Sequence, residues 1–266
     1  MRPKCLLIIN PVSGTASKKG VAAKCVRRLG REGIDVEVLY TEGPGDASRF
    51  AAEAARKEYL GVIAAGGDGT VNEVASSLRG TATALGIIPL GSGNGLARHL
   101  GLSTDVSEAL DVIVRRYILA CDSCEVNGRP FFCTFGLGFD AAVSEKFARS
   151  RQRGLINYMR SALGEYLKFQ PEEYEIDADG HLFRLKAFIV AACNASQYGN
   201  NVFIAPMASI RDGLLDITLI HAGTPLTRAR AGVELVTGMI KNNMIIQTLR
   251  VKKATIRRLS PGIAHV

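Results

Sequence analysis

Residues 62–75, VIAAGGDGTVNEVA, place a short apolar run directly against Gly-Gly-Asp-Gly-Thr. The run Val62–Ala65 predicts a buried strand, and the positions after the turn repeat at the spacing of one helix face: Val71, Val74, Ala75 and Leu78. The glycine and aspartate residues therefore connect a strand to a helix. Glycine permits positive φ and close approach to a ligand, and free N–H groups at a helix start bind anions. We predict a phosphate-binding site at this turn.

The same alternation of strand and helix patterns fills the first part of the chain. Four short apolar runs predict strands, at Leu6–Ile9, Val36–Tyr40, Val62–Ala65 and Leu85–Ile88, with helical periodicity between them and again over Asp105–Arg116. This βαβαβαβ order predicts a parallel sheet, because right-handed crossovers bring successive strands side by side.

The pattern changes near residue 118. Asn127-Gly128 and Asp179-Gly180 are hairpin dipeptides, strands are predicted at Phe131–Phe135, Lys186–Asn194 and Leu214–His221, and helices at Ile156–Phe169 and Leu226–Lys241. We therefore expect an α/β domain over residues 1–118 and a β-rich domain over residues 119–266.

Composition limits the class of protein. The 266 residues are 47% hydrophobic and 22% charged, which is typical of folded globular domains. The net charge of +8 favours anionic partners without choosing among nucleotides, nucleic acid and membrane. Six dispersed cysteines indicate reduced thiols in a cytosolic protein, and the lone Cys121-x-x-Cys124 lacks the further ligands of a zinc site. No apolar run approaches the ~20 residues that span a bilayer, so we expect a soluble or peripheral protein.

Two further loops follow strands of the predicted sheet. Residues 10–14, Asn-Pro-Val-Ser-Gly, follow the first strand, and residues 89–95, Pro-Leu-Gly-Ser-Gly-Asn-Gly, follow the fourth. The carboxyl ends of parallel strands share one edge, where ligands bind, so three small polar loops should converge there. Neither the pattern G-x-x-x-x-G-K-[S/T] nor a dinucleotide fingerprint fits these loops. Gly136-x-Gly138-x-x-Ala141 matches the latter but opens no βαβ unit.

Five segments in the same order closely resemble the diacylglycerol kinase catalytic family, which includes bacterial lipid kinases and sphingoid-base kinases. They are Asn10-Pro11-x-Ser13-Gly14, Gly66-Gly67-Asp68-Gly69-Thr70-x-Asn72-Glu73, Gly91-Ser92-Gly93-Asn94-x-Leu96-Ala97-Arg98, Gly136-x-Gly138-Phe139-Asp140 and Asp212-Gly213-Leu214-Leu215-Asp216. The resemblance implies an N-terminal ATP-binding domain of the type shared by NAD kinase and diacylglycerol kinase. It also implies a β-rich, antiparallel, sandwich-like second domain and a lipid hydroxyl phosphorylated in the cleft between the two.

The resemblance also implies site residues. Those expected to line ATP are Asn10, Ser13, Gly14, Thr41, Gly67, Asp68, Gly69, Thr70, Val71, Asn72, Glu73 and Ser92. Thr41 also lies just past the second predicted strand, at the same edge. Asp68 and Asp122 are the implied catalytic carboxylates, and Ser209, Asp212 and Leu214 the implied structural magnesium site.

Chemistry supports a carboxylate at the turn, since phosphoryl transfer uses Mg²⁺ held by oxygen ligands. Asp68 is the best-placed candidate. The alternative is that Asp68 caps the following helix, that Asp122 only ends a strand, and that Asp212 lies in a plain turn.

Two departures from the family pattern bear on activity. Asn94-Gly95 stands where bacterial relatives often carry Asn-Asp, as in sphingoid-base kinase patterns. The family's catalytic Glu lies in a late Asp-Gly-Glu, whereas this sequence ends at Ala264-His265-Val266. We expect the natural chain to continue and the 266-residue form to have impaired activity, which normal lipid phosphorylation by this form would contradict. His265 could replace the base, although surface or packing roles are commoner for one His on a strand.

Other functions remain open at this stage. An NAD kinase shares the Gly-Gly-Asp-Gly turn, and a nucleotide-binding regulator without catalysis also fits. A nucleic-acid module is disfavoured because the basic pairs are separated and no aromatic RNA-binding signature accompanies them.

Membrane contact is a separate expectation. Arg149, Arg151 and Arg153 precede the amphipathic stretch Ile156–Phe169, and such residues attract anionic lipid unless they form an ordinary solvated face. We therefore expect a cytoplasmic protein that contacts the membrane peripherally. The sequence does not decide the acceptor lipid or whether a homodimer forms.

Overall fold

The computed structural model describes residues 2–14, 18–139, 141–142, 169–240, 243–260 and 264–265. The chain divides into two compact units, Met1–Ser123 and Cys124–Val266. The boundary predicted near residue 118 lies a few residues before the division in the structure, between Ser123 and Cys124. All six cysteines are free thiols. Within the described ranges, no helix combines the length and apolarity needed to cross a bilayer.

The first unit alternates strands and helices. Its elements are β1 (Lys4–Ile9), α1 (Val21–Gly30), β2 (Asp35–Tyr40), α2 (Asp46–Arg56), β3 (Gly61–Gly66), α3 (Asp68–Leu78), β4 (Ala84–Pro89), α4 (Gly95–His99) and α5 (Val106–Arg115). The four strands form one sheet in the order β2-β1-β3-β4, and every pair is parallel. The predicted parallel sheet is therefore confirmed.

Helices cover this sheet, which explains the unbroken apolar runs in its strands. Leu7, Ile9 and Ile63 form one buried cluster with Leu29 of α1 and Leu110 of α5. On a parallel sheet covered by helices, strands bury both sides and lose the alternating pattern of half-exposed strands. The carboxyl ends of all four strands lie at the same edge, so the loops that follow them are brought together.

The second unit is mainly antiparallel. Its elements are β5 (Cys124–Val126), β6 (Arg129–Phe131), β7 (Thr134–Gly138), β8 (Glu172–Ala178), β9 (His181–Cys193), β10 (Gln197–Gly199), β11 (Val202–Phe203), β12 (Leu215–His221), α6 (Pro225–Thr237), β13 (Ile246–Val251), β14 (Ala254–Arg258) and β15 (Ala264–His265). Seven strands form one sheet with the path β13-β12-β9-β7-β15, and β8 joins it by pairing with both β9 and β14.

Both predicted hairpin turns are confirmed. Asn127 and Gly128 have φ of 48° and 79° between β5 and β6, and Asp179 and Gly180 have φ of 49° and 90° between β8 and β9. Two successive residues at positive φ match the twist of a tight antiparallel hairpin, which is why these dipeptides predict it.

The prediction of a single strand over Phe131–Phe135 is wrong. β6 ends at Phe131 and β7 begins at Thr134, in a different sheet. The backbone between them is held elsewhere: the Cys133 carbonyl accepts the amides of Asn194 and Ala195, and Asn194 Nδ2 donates to the Phe132 carbonyl at 3.0 Å. These bonds replace strand pairing at the break.

The C-terminal helix and strand agree with the sequence patterns. α6 ends at Thr237 because Gly238 adopts the left-handed conformation, φ 69°, so the helix is shorter than the predicted Leu226–Lys241. β15 places His265 on a strand, opposite Gly136 of β7. The predicted helix at Ile156–Phe169 lies, up to residue 168, outside the described residues, as do the three arginines Arg149, Arg151 and Arg153.

Candidate active site

The loop after β1 is organised by one asparagine. The Asn10 amide donates to the Ala65 carbonyl of β3, and its side-chain oxygen accepts the Val12 amide at 3.0 Å. Its side-chain nitrogen donates to Thr70 Oγ1 at 3.0 Å, which joins this loop to α3. Ser13 closes the turn by donating from Oγ to the Asn10 carbonyl.

Close packing between loops explains several glycines. A Cβ on Gly14, which has φ of 55°, would lie 2.1 Å from the Leu90 carbonyl oxygen, and a Cβ on Gly91 would lie 2.4 Å from Gly67 Cα. Real Cβ atoms do not approach this closely, so the three loops touch through bare backbone. The convergence expected from the parallel topology is therefore present.

The glycines of the opening motif serve more than one purpose. We expected them to provide positive φ and close approach to a ligand, but none of Gly66, Gly67 and Gly69 adopts positive φ. A Cβ on Gly66 would lie 2.6 Å from Thr70 Oγ1, and one on Gly67 would lie 3.2 Å from Gly91 Cα. Only Gly69, in the first turn of α3, has open space where its Cβ would be. Packing explains two of the glycines, and ligand access could explain the third.

The carboxylate of Asp68 bridges two loops. Asp68 is the first residue of α3, yet its Oδ2 accepts the Asn94 amide and its Oδ1 accepts the Gly95 amide, each at 2.7 Å. These amides belong to the start of α4, where the helix dipole favours a negative charge. Asp68 therefore caps α4, and the expected alternative, a cap on its own helix, is wrong.

Opposing effects act on the pKa of Asp68. Desolvation by the surrounding protein raises the pKa of this carboxyl, and the amides of Asn94 and Gly95 lower it without offsetting the rise. The residue keeps one side open to solvent although protein atoms crowd its carboxylate. The hydrogen bonds from the Asn94 and Gly95 amides favour the charged form of this carboxyl, because both of its oxygens act as acceptors.

Asn94 completes the third loop. Its side-chain oxygen accepts the Gly91 amide and its side-chain nitrogen donates to the Gly91 carbonyl, both at 2.9 Å, while its own φ is 56°. Arg98 Nε donates to the Gly93 carbonyl at 3.1 Å. Asn94 was in the family motif but not among the predicted site residues; its position before glycine is the sequence signal for a left-handed conformation.

The remaining predicted nucleotide residues lie at the same edge. Thr41 directly follows β2, and its amide donates to the Ile9 carbonyl at 3.0 Å. Glu73 Oε2 accepts the Gly45 amide at 3.1 Å, which ties the loop after β2 to α3. Thr70 and Val71 are buried, whereas Ser92 is partly exposed.

Asp122 lies in a separate segment. It is partly exposed in the irregular stretch between α5 and β5, and together with burial its charge raises the pKa of the neighbouring Cys121 thiol. Its predicted catalytic role remains a prediction.

The predicted structural magnesium residues lie in the turn before β12. Asp212 Oδ1 accepts the Leu214 amide at 3.0 Å, and Oδ2 pairs with the guanidinium of Arg250 on β13. Ser209 Oγ accepts the Arg211 amide at 3.4 Å. The turn is thus ordered by its own polar groups.

Asp216 is a residue that the sequence prediction did not select. Its side chain is 3% exposed, and its Oδ2 has no hydrogen-bond partner in the structure. Burial raises the pKa of this carboxyl, Arg250 lowers it and Asp212 raises it further. Its signal was the second aspartate of Asp-Gly-Leu-Leu-Asp, placed on a strand otherwise rich in apolar residues.

These donors fit a hard cation. Among the described residues, no three His, Cys, Asp or Glu side chains cluster to hold a metal ion. The carboxylate oxygens of Asp212 and Asp216 are nevertheless of the kind that Mg²⁺ and Ca²⁺ prefer. Among the described residues, Asp216 Oδ2 has no hydrogen-bond partner, and Arg250 lies 3.8 Å from Oδ1.

Comparison with known proteins defines the class. Residues 4–126 match the family model described as "Diacylglycerol kinase catalytic domain", and residues 134–264 match "YegS C-terminal NAD kinase beta sandwich-like domain". A solved structure of a diacylglycerol kinase from Bacillus anthracis str. Sterne aligns with a TM-score of 0.76 at 25% identity, covering 97% of this chain and 87% of that one. The two units thus have the architecture of lipid kinases built on a parallel sheet and a β-sandwich-like domain.

Curated relatives give the family. "Probable lipid kinase YegS-like" of Klebsiella pneumoniae (strain 342) is 32% identical over 222 residues, which cover 82% of this chain and 74% of the relative. "Diacylglycerol kinase" of Bacillus subtilis (strain 168) is 30% identical over 219 residues, which cover 80% and 72%. This chain belongs to the family of diacylglycerol kinase-like lipid kinases, as the sequence motifs indicate.

Because Asp68 bridges two loops through both carboxylate oxygens, replacing it by Asn should cost more stability than the same replacement at an ordinary helix cap. Asp68→Asn should lower the free energy of unfolding by about 1–2 kcal/mol, because Asp68 uses both oxygens and an amide nitrogen would then face a backbone N–H. Asp105 is the matched control: it accepts the Ser107 and Glu108 amides through Oδ1 alone, so Asp105→Asn should cost less than about 0.5 kcal/mol. Urea unfolding measures both, and equal losses would contradict the bridge.

Proposed function

We propose that this protein is a lipid kinase that uses ATP and Mg²⁺ to transfer the γ-phosphoryl group to a lipid hydroxyl. Membership of the family supports phosphorylation of a lipid. The observation that supports a phosphate site is the start of α3. Its first intrahelical hydrogen bond runs from the Val71 amide to the Gly67 carbonyl, so the amides of Gly69 and Thr70 precede the helical ladder, and the space at Gly69 is open.

Electrostatics single out α3 rather than α4 as the anion site. The Asp68 carboxylate already takes the amides at the start of α4. The three loops, residues 10–14, 66–70 and 89–95, contain no Lys or Arg. Helix N-termini attract phosphate through unpaired amides and the helix dipole, so the α3 amides are proposed to bind the phosphates, with the Arg98 guanidinium beside the third loop as a further positive group.

The other nucleotide residues divide into contact and positioning roles. Thr70 and Val71 are buried and would offer only main-chain atoms to ATP. Asn10 and Glu73 hold loops together through the bonds described above, which makes them positioning residues. Ser13, Thr41, Asn72 and Ser92 are the proposed side-chain contacts with ATP.

Two places would hold Mg²⁺. Asp68 is exposed beside the start of α3 and would hold the ion near the phosphates, with Asp122 as the further proposed carboxylate. Bound there, Mg²⁺ would neutralise charge on the phosphoryl oxygens. The structural ion would be held by Ser209, Asp212 and Leu214.

A radiolabelled ATP assay tests the proposal. The protein is incubated with Mg²⁺, labelled ATP and, separately, diacylglycerol, a sphingoid base or NAD. We expect label in diacylglycerol or the sphingoid base, the former because a relative is named diacylglycerol kinase, the latter because of Asn94-Gly95. Label in NAD would favour an NAD kinase. ATP binding by calorimetry with no transfer, even in a form extended at its C-terminus through an Asp-Gly-Glu segment, would favour a regulator. Absence of ATP and ADP binding to folded protein would overturn the nucleotide site.

Two glycine substitutions separate ligand access from packing. Gly69→Ala should leave stability unchanged or raise it by about 0.5–1 kcal/mol, because alanine is the better helix former, yet weaken ATP binding about tenfold or more if phosphate approaches this position. Gly91→Ala should instead lower stability by about 1–3 kcal/mol, because its Cβ meets Gly67 Cα. Thermal unfolding and ATP titration measure the pair; full ATP affinity in Gly69→Ala would exclude that approach.

The orphaned carboxylate predicts a cation-dependent stability. Millimolar Mg²⁺ at about ten times its Kd should raise the Tm of the unsubstituted protein by roughly 2–5 °C, because an ion that binds only the folded state stabilises it. Asp216→Asn should lose most of this increase, since it removes the buried charge. Asp35→Asn, an exposed aspartate on β2, should keep it. An equal Mg²⁺ shift in Asp216→Asn would show that Asp216 does not face the ion.

A further inference from the structure

α6 is apolar on two opposite sides. Its inner side packs Ala231 and Leu235 into a buried cluster with Phe188 and Ile220, and Arg228 lies over the Phe188 ring at 4.9 Å. A helix that packs on a domain by one side normally carries polar residues on the other.

The opposite side lacks this polar character. Leu226, Ala229, Val233 and Val236 recur at helical spacing, and we call them the α6 outer face. Leu226 is 80% exposed, Val233 64% and Val236 57%. The methionines that follow the helix, Met239 and Met244, are 62% and 96% exposed. Large apolar side chains thus point into solvent along the helix and beyond its end.

The size of this surface bears on its partner. One helix face and two methionines amount to on the order of a few hundred Å² of apolar surface, a range in which exposed patches mark interaction sites. Each partner of a standard protein complex buries about 800 Å². The α6 outer face alone is therefore small for a stable dimer, whereas a surface helix needs to sink only about 5–10 Å into the boundary of a bilayer.

The positive charge of the second unit favours an anionic bilayer over a neutral one. Residues 124–266 contain 18 Lys and Arg against 12 Asp and Glu, which is +6 of the chain's +8. Arg230 flanks the outer face with its side chain 73% exposed, and the only acidic residue of α6, Glu234, is engaged by Arg230 and by Asn243. Positive charge beside an apolar helix face complements anionic lipid headgroups.

We propose that the α6 outer face docks this protein on an anionic lipid bilayer. Leu226, Val233 and Val236 enter the headgroup boundary, Met239 and Met244 extend the contact, and the positive net charge of residues 124–266 attracts the anionic lipid. The inference rests on the proposed function, because a lipid acceptor is presented by a membrane. It adds a surface distinct from the arginines at 149–153, and it is independent of the nucleotide loops.

Vesicle co-sedimentation without ATP tests the docking surface. The probes are phosphatidylcholine vesicles with and without phosphatidylglycerol. The unsubstituted protein should bind the anionic vesicles, and Leu226→Gln/Val233→Gln should bind them on the order of tenfold more weakly, because the pair removes apolar surface without adding charge. Glutamine is a good helix former at both exposed positions, so folding should survive, which thermal unfolding checks. Leu182→Gln, a Leu 65% exposed on β9, is the matched control and should bind normally.

The outcomes separate this inference from the kinase proposal. Equal vesicle binding by Leu226→Gln/Val233→Gln, here called the α6 pair, and by the unsubstituted protein would overturn the proposed docking surface. Absence of binding to anionic vesicles would overturn it as well. A dimer in analytical ultracentrifugation that the α6 pair converts to monomer would assign the face to a second copy instead. Phosphorylation of a detergent-dispersed lipid should be the same in Leu226→Gln/Val233→Gln and in the unsubstituted protein. Failure of both, including in forms extended at the C-terminus through an Asp-Gly-Glu segment, would contradict the kinase proposal and leave vesicle binding as the test of docking.

Discussion

The site depends on one carboxylate held between two loops. Asp68 begins α3, yet both of its oxygens accept amides at the start of α4, while Gly67 and Gly91 approach each other through bare backbone beneath it. The loop after β1 joins this contact through Asn10 and Thr70. A parallel sheet brings the three loops to one edge, and these contacts fix their relative positions. Phosphate recognition by main-chain amides requires fixed positions, because amides cannot adjust their reach as a lysine side chain can.

Sequence patterns predicted most of the fold because local physics determines it. Apolar runs between helical patterns define β1 to β4, and Asn-Gly and Asp-Gly define two hairpins, since only certain residues tolerate the required φ. The break after Phe131 could not be predicted: it results from hydrogen bonds between Cys133 and residues about sixty positions away. The exposed apolar side of α6 could not be predicted from the sequence either. Apolar residues on two sides of a helix predict that both sides are buried, whereas only one side of α6 is.

The sequence predicted which segments form the candidate site, but it predicted the roles of individual residues less well. The glycines of the opening motif are equivalent in the sequence, yet two serve packing and one is left open. The distinction depends on the Thr70 side chain beside Gly66 and on Gly91 across the loop contact from Gly67. Asp68 could have capped its own helix, and it caps another. Asp212 and Asp216 belong to the same sequence motif, so the sequence did not distinguish them. The burial of Asp216 Oδ2 without a hydrogen-bond partner among the described residues depends on the packing of β12 against its neighbours.

The two acidic regions differ in their need for a cation. Where bacterial relatives often carry a second aspartate beside the third loop, this chain has Gly95, whose amide instead donates to Asp68. A single carboxylate that accepts amides has no second carboxylate to repel it, whereas two adjacent carboxylates would repel each other until an ion joined them. Asp216 is in the opposite position, because it is buried beside Asp212 and only one distant contact, 3.8 Å to Arg250, offsets its charge. The three loops can therefore hold their shape without an ion, whereas an ion bound at the turn before β12 would contribute more to the stability of the protein.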